Sequence, residues 1–160
     1  MEKSITSTIN VLIIGNNPIE LSRVRNQLKN LKGIKFISDF CFSTRDSLMK
    51  ILKFKPGCIL VDDTIDKKSL ADFSSKINSN HRTKDIPITL LKSCYKKEIN
   101  VPGLSDFLLK DGITGESLSK AIINVIKSRK TQRYLYIKYK KNKRKLTNSI
   151  RLSKTQAKGI

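Results

Sequence analysis

Tryptophan is absent from this 160-residue chain, histidine occurs once and cysteine three times. Acidic residues are also scarce, 13 against 33 Lys and Arg. Each shortage removes a class of chemistry. His81 sits in a polar stretch beside Asn80 and Arg82 and has no partner spacing for metal or catalysis. Cys41, Cys58 and Cys94 are odd in number and far apart, which argues against a disulfide or metal framework. Cys41 and Cys58 lie among apolar residues and are expected to be buried, reduced thiols. No run of 18 apolar residues occurs, so no membrane span is expected. The opening Met-Glu-Lys-Ser lacks the basic and apolar pattern of a secretory leader. No Gly-rich phosphate loop and no nucleophile paired with a base is visible, so no catalytic residues and no enzyme activity are expected.

The shortage of acid gives a formal net charge of +20, unevenly spread. From Lys127 to Ile160 there are thirteen basic residues and no acid, leaving +7 on the first 126. The chain therefore reads as a mildly basic domain with a strongly basic C-terminal extension.

Within the domain, short apolar runs alternate with helical patterns. Val11–Ile14 ("VLII") is a buried strand stopped by Gly15-Asn16-Asn17-Pro18. Pro18 suits a first helical turn, and Leu21, Val24, Leu28 and Leu31 give one apolar face up to Gly33. Ile34–Phe40 reads as a second strand, Thr44–Leu52 as a helix, and Cys58–Val61 as a third strand running into Asp62 and Asp63. A helix near Leu70–Ile77 follows, then strands at Ile88–Leu91 and Asp106–Leu109. Thr114 is a plausible N-cap for a last helix with Leu118, Ala121, Ile122, Val125 and Ile126 on one face. Continuously apolar strands alternating with amphipathic helices specify a parallel sheet covered on both faces. Five strands in this length imply a doubly wound, flavodoxin-like sheet, with its site at the carboxyl ends of the strands. Pro102-Gly103 leaves little room between the last two strands, so the fourth helix is expected to be shortened or missing.

The stretches "VLIIGNNP", "KPGCILVDD", "TKDIPITLLKS" and "LSDFLLKDG" together resemble a CheY-like receiver domain of two-component response regulators, over about residues 10–128. The resemblance implies a phospho-accepting carboxylate at Asp62 and a phosphoryl-binding lysine at Lys110. It implies an acidic pair where this chain has Gly15 and Asn16, and a switch hydroxyl where it has Lys92. Mg²⁺ favours six oxygens and needs carboxylates to hold it. Without them a phosphoryl donor meets an unscreened carboxylate. The expectation is an impaired site, with no metal or cofactor, in which Lys110, Lys92 or both pair with Asp62, and in which Asp63 offers only a weak substitute ligand. Ser93 falls one residue past the switch position and is read as incidental.

The organisation expected is a lead over 1–9, a pseudo-receiver domain over 10–128 and a basic extension over 129–160, helical or disordered. Its candidate nucleic-acid contacts are Arg129, Lys130, Arg133, Lys138, Lys140, Lys141, Lys143, Arg144 and Lys145, interleaved with Tyr134, Tyr136 and Tyr139. "LLKDG" is similar to receivers of the NarL/LuxR type, and "KLTNSIRLSKTQAKGI" resembles the opening of their DNA-binding half. That implies a remnant of a helix-turn-helix output domain. Richness in Lys, Ile and Asn suits an AT-rich genome, and short regulators of this kind encoded in algal plastids look similar. The expected role is a response-regulator-like protein of the cytoplasm or plastid stroma, connected with transcription, with a protein partner and a tail on DNA or RNA. The alternative is an assembly protein whose tail docks on an acidic or RNA-rich complex.

Overall fold

The computed structural model describes residues 7–94 and 99–157. Its elements are β1 (Ser7–Ile14), α1 (Pro18–Gln27), β2 (Ile34–Cys41), α2 (Thr44–Phe54), β3 (Cys58–Asp62), α3 (Lys67–Ser79), β4 (Ile88–Lys92), β5 (Asp106–Leu109) and α4 (Gly115–Ala157). The strands form one parallel sheet in the order β2-β1-β3-β4-β5. The order reverses between β1 and β3, the switch point at which open α/β sheets place their sites.

Pleating sorts the strand residues between two cores. Leu12, Ile14, Ile59, Val61, Ile88 and Leu90 face α2 and α3, where Ile51, Leu70, Phe73 and Ile77 meet them. Val11, Ile13, Leu60 and Leu91 face α1 and the start of α4, against Leu21, Val24, Leu118, Ile122 and Val125. β3 and β4 are buried along their whole length, as strands covered on both sides must be.

The ends of the helices follow local chemistry. Asn17 caps α1 by accepting from the Ile19 amide at 3.0 Å, ahead of Pro18. The helix stops at Gln27, short of the expected Leu31, because Leu28 caps it and Asn30 takes a left-handed φ of 61°. Ser43 caps α2 and Asp66 caps α3, each side chain accepting from the amide three residues on. β1 begins at Ser7, well before Val11: its polar first half pairs with β2 alone.

The shortened fourth helix expected between β4 and β5 falls partly on residues 95–98, outside the described residues, and the described residues around them form no helix. Residues 99–105 are instead pinned to α3. Val101 is buried, Ile99 and Leu104 pack beside it, and Ser74 Oγ donates to the Pro102 carbonyl at 2.7 Å. Phe107, on the α2/α3 face of the edge strand β5, is left 49% exposed.

The chain divides into two units, residues 1–129 and 130–160. In the second, α4 continues as helix through Ala157, so the extension is helical where described, with every residue from 130 to 157 exposed.

Gly103 has φ +87°, and a Cβ there would collide with Asn78 Nδ2 and with Ser74 Oγ. Gly103→Ala is expected to lower stability by about 1–3 kcal/mol, through backbone strain and displacement of the pinned loop. An unchanged urea midpoint would show that the loop is not fixed this way.

Candidate functional site: a carboxylate pair at the strand ends

Asp62 ends β3 and Asp63 follows it, both almost fully buried, at 1% and 3% exposure. Two carboxylates removed from water need counter-charge and donors. Lys110, just after β5, supplies the charge to both. Its Nζ lies 2.9 Å from Asp62 Oδ2, 3.2 Å from Asp62 Oδ1 and 3.2 Å from Asp63 Oδ1. The Thr64 amide donates to Asp62 Oδ1 at 3.0 Å. The Ser93 amide donates to Asp63 Oδ2 at 2.7 Å, and the Ser93 hydroxyl lies 2.8 Å from both Asp63 oxygens.

Alternation along the strands explains which residues meet. Leu60 and Leu108 face α1 and α4, so Asp62 and Lys110, each two residues further on, point the same way. Lys92 is two residues beyond Leu90, which faces α2 and α3. Lys92 therefore does not join Asp62. Its ammonium stands 4.5 Å from the centroid of the Phe107 ring, and among the described residues it makes no ion pair with either carboxylate.

Ser93, read from sequence as incidental, is a principal partner of Asp63. The signal was present in the spacing: 30 residues separate Asp62 from Lys92, and the same 30 separate Asp63 from Ser93. Both the carboxylate and its hydroxyl partner stand one residue late.

Asn16 lies exposed at the end of β1 and uses its carboxamide NH₂ to donate to the Thr64 carbonyl at 3.2 Å. Gly15 is buried. A Cβ at that position would lie 2.8 Å from Leu21 Cδ2 and 2.9 Å from Asp62 Cβ, so an acid there has no room. Mg²⁺ would need several oxygens from this set. Both carboxylates already share one ammonium, Gly15 has no side chain, and Asn16 offers a neutral amide oxygen. The residues do not fit the ion, and among the described residues no group of three or more His, Cys, Asp or Glu could hold a metal.

Burial works against the charged form of Asp63, but the Ser93 and Lys110 hydrogen bonds outweigh it and hold its carboxyl below the ordinary range. Burial likewise opposes the charge on Lys110, and the two carboxylates overcome that and raise its pKa. Elsewhere, burial pushes the Cys58 thiol up to about 12, which keeps it protonated and unreactive, while Cys94 is exposed.

The candidate nucleic-acid contacts separate. Arg129 is half-buried and reaches Asn78 of α3, its Nη2 lying 3.4 Å from the amide oxygen, so it belongs to the first unit's packing. Lys130, Arg133, Lys138, Lys140, Lys141, Lys143, Arg144 and Lys145 are all exposed. The three tyrosines do not form one row. At about 100° per residue Tyr134 faces nearly opposite Tyr136, while Tyr136 and Tyr139 are three apart and share a side. Tyr136 also carries the Lys140 ammonium, 4.9 Å from its ring centroid.

No family model matches this sequence, and no curated protein matches it. Solved structures do. A response regulator from Desulfuromonas acetoxidans is 22% identical, with a TM-score of 0.59 over 74% of this chain and 97% of that one. The chemotaxis response regulator CheY4 of Vibrio cholerae is 19% identical, TM-score 0.58, over 74% and 99%. The receiver domain of sensor histidine kinase PA1611 from Pseudomonas aeruginosa PAO1, which holds a magnesium ion in its active-site cleft, is 16% identical, TM-score 0.60, over 75% and 98%. Likeness at these identities shows the fold: a flavodoxin-like, CheY-like sheet of the receiver type.

Replacing Lys110 by Met removes the ammonium that both buried carboxylates share and is expected to cost about 3–5 kcal/mol at neutral pH. The pH dependence has two limbs. The depressed Asp63 contributes stability that is complete above about 3.9, the unfolded carboxylate value, and fades as pH falls through the lower folded value. The raised Lys110 contributes stability that is complete below about 10.4 and fades as pH rises through its higher folded value. Urea unfolding across pH should therefore show the Lys110→Met deficit shrinking in acid, where protonated carboxyls need no counter-charge. A deficit independent of pH would mean that the ion pairs are not its source.

Proposed function

We propose that this chain is a response-regulator-like regulatory protein, connected with transcription, that acts without phosphorylation and contacts DNA or RNA through its C-terminal helix. On this reading it is not an enzyme, and it works in the cytoplasm or a plastid stroma. The receiver fold and the neutralised carboxylate pair support a protein-binding module whose Asp62 is permanently engaged. The observation that carries the nucleic-acid half is the charge of α4: residues 130–157 hold ten Lys and Arg and no acid, all exposed on one helix. Lys140, Arg144 and Arg151, with Arg133, fall along one side of it at intervals of seven, four and seven. Three guanidinium groups and an ammonium in such a line suit phosphate oxygens, and affinity from phosphates carries little sequence information. A second reading, an assembly protein on an acidic or RNA-rich complex, is favoured by the apolar residues this helix also exposes, among them Leu135, Leu146 and Ile150. Stoichiometric co-sedimentation with a large particle would support that reading over the first.

Incubation with Mg²⁺ and acetyl phosphate, or with beryllofluoride, is expected to give no adduct by intact mass. A Mg²⁺-dependent adduct that disappears in Asp62→Asn would overturn the unphosphorylated reading.

Duplex binding should weaken with salt at a slope of about −0.9 per phosphate engaged, so five or six contacts give roughly −5. The Lys140→Gln/Arg144→Gln/Arg151→Gln variant should reduce that slope by about three. An unchanged slope would place the contact elsewhere.

A further inference from the structure

The same helix has a side that phosphates do not explain. At about 100° per residue, Leu135, Tyr139, Leu146 and Ile150 fall along one stripe, nearly opposite the line of Arg144 and Arg151. The four side chains are 56%, 61%, 64% and 48% exposed. Their spacing is four, seven and four, close to the 3.5-residue repeat of paired helices. Asn142, Ser153 and Ala157 continue the stripe, and no Lys or Arg falls within it. Lysines border it instead, Lys138 and Lys145 along one side, Lys143 and Lys154 along the other.

We propose that this stripe seats an acidic amphipathic helix of a partner protein. The partner's apolar residues would cover Leu135, Tyr139, Leu146 and Ile150, and its Glu or Asp residues would meet the bordering lysines. Border charges are what choose the partner of a paired helix, and these are all of one sign. A second copy of this chain would set lysine against lysine along both borders, so self-pairing is disfavoured. A phosphodiester backbone has no apolar surface to cover the stripe. A lipid surface would gain only four large apolar groups, with Asn142 and Ser153 carried in beside them. Asn142 in the middle of the stripe adds direction: one polar residue in an apolar seam fixes the register of the pair at some cost in affinity. The inference holds whether or not the opposite side of the helix meets nucleic acid.

The test uses the full chain and a synthetic helix of about 28 residues, ~42 Å long, with Leu at the seam, Asn facing Asn142 and Glu on both borders. A scrambled peptide of the same composition, duplex DNA and phosphatidylserine vesicles complete the set. The designed peptide should bind, and the scrambled one should bind at least roughly tenfold more weakly, a difference of 1.4 kcal/mol. Leu135→Ala/Leu146→Ala/Ile150→Ala, in which alanine preserves helix propensity, should weaken the peptide by a similar factor and leave duplex affinity nearly unchanged. Asn142→Lys, which puts a charge in the seam without removing apolar groups, should weaken the peptide as well. The Lys140→Gln/Arg144→Gln/Arg151→Gln variant should show the reverse pattern, so failure of the nucleic-acid reading is seen separately. Equal affinity for the scrambled peptide would overturn the proposal, as would peptide binding unaffected by both stripe variants. So would a stable homodimer that the alanine variant dissolves, or vesicle or duplex binding that depends on the stripe as strongly as peptide binding does.

Discussion

One ammonium group shared between two buried carboxylates sets the character of the carboxyl-terminal edge of this sheet. Asp62 and Asp63 stand side by side at the end of β3, with nearly all of their surface withdrawn from water. Neither is tenable there alone, and together they repel. Lys110 resolves both difficulties by reaching each of them from the end of β5. The loops at the other strand ends are arranged around that solution. Thr64 and Ser93 turn their amides inward to donate, Asn16 ties the β1 loop to Thr64, and the close approach of Gly15 leaves no space for a third acid.

This arrangement differs in kind from a site built to receive a metal and a phosphoryl group. Such a site keeps an excess of negative charge and open oxygen ligands, and so is incomplete until its ion arrives. Here the charge is met by a covalently attached cation on the next strand but one, and Ser93 and the Thr64 amide donate to the same oxygens. The result is a closed polar cluster whose value lies in fixing the loops around it.

The fold was legible in sequence because β1, β3 and β4 announce themselves as unbroken apolar runs, and such runs belong to parallel sheets covered on both sides. Boundaries were less legible where a single backbone conformation decides them. Asn30 turns left-handed and closes α1 early, and nothing in the spacing of Leu28 and Leu31 reveals it. The polar start of β1 was missed because its pairing with β2 asks nothing of side-chain hydrophobicity. At the site, family resemblance pointed to Asp62 and Lys110 but assigned Lys92 to the wrong side of the sheet. Period-two alternation, counted from Leu90, would have sent it toward Phe107. Asp63 was read only as a weak metal ligand and Ser93 as incidental, because the expected pattern was sought in its usual register, whereas here both partners have moved one position together. Arg129 read as one more basic residue of the extension, since only the tertiary structure brings Asn78 to it.

The crowding around Gly15 has a consequence for how such a sequence can change over generations. An acid introduced at that position meets Leu21 and Asp62 before it can serve any purpose, and a metal introduced without it meets Lys110. An acid there requires Leu21 or Asp62 to shift, and a cation requires the Lys110 ammonium to withdraw, so neither change is accommodated by itself. The exposed helix carries no such packing constraint, since every residue from 130 to 157 is open to solvent; what limits change there is the charge and the apolar stripe its surface presents. The two units are thus constrained differently: the first by the mutual packing of buried groups, the second by what its exposed side chains can meet.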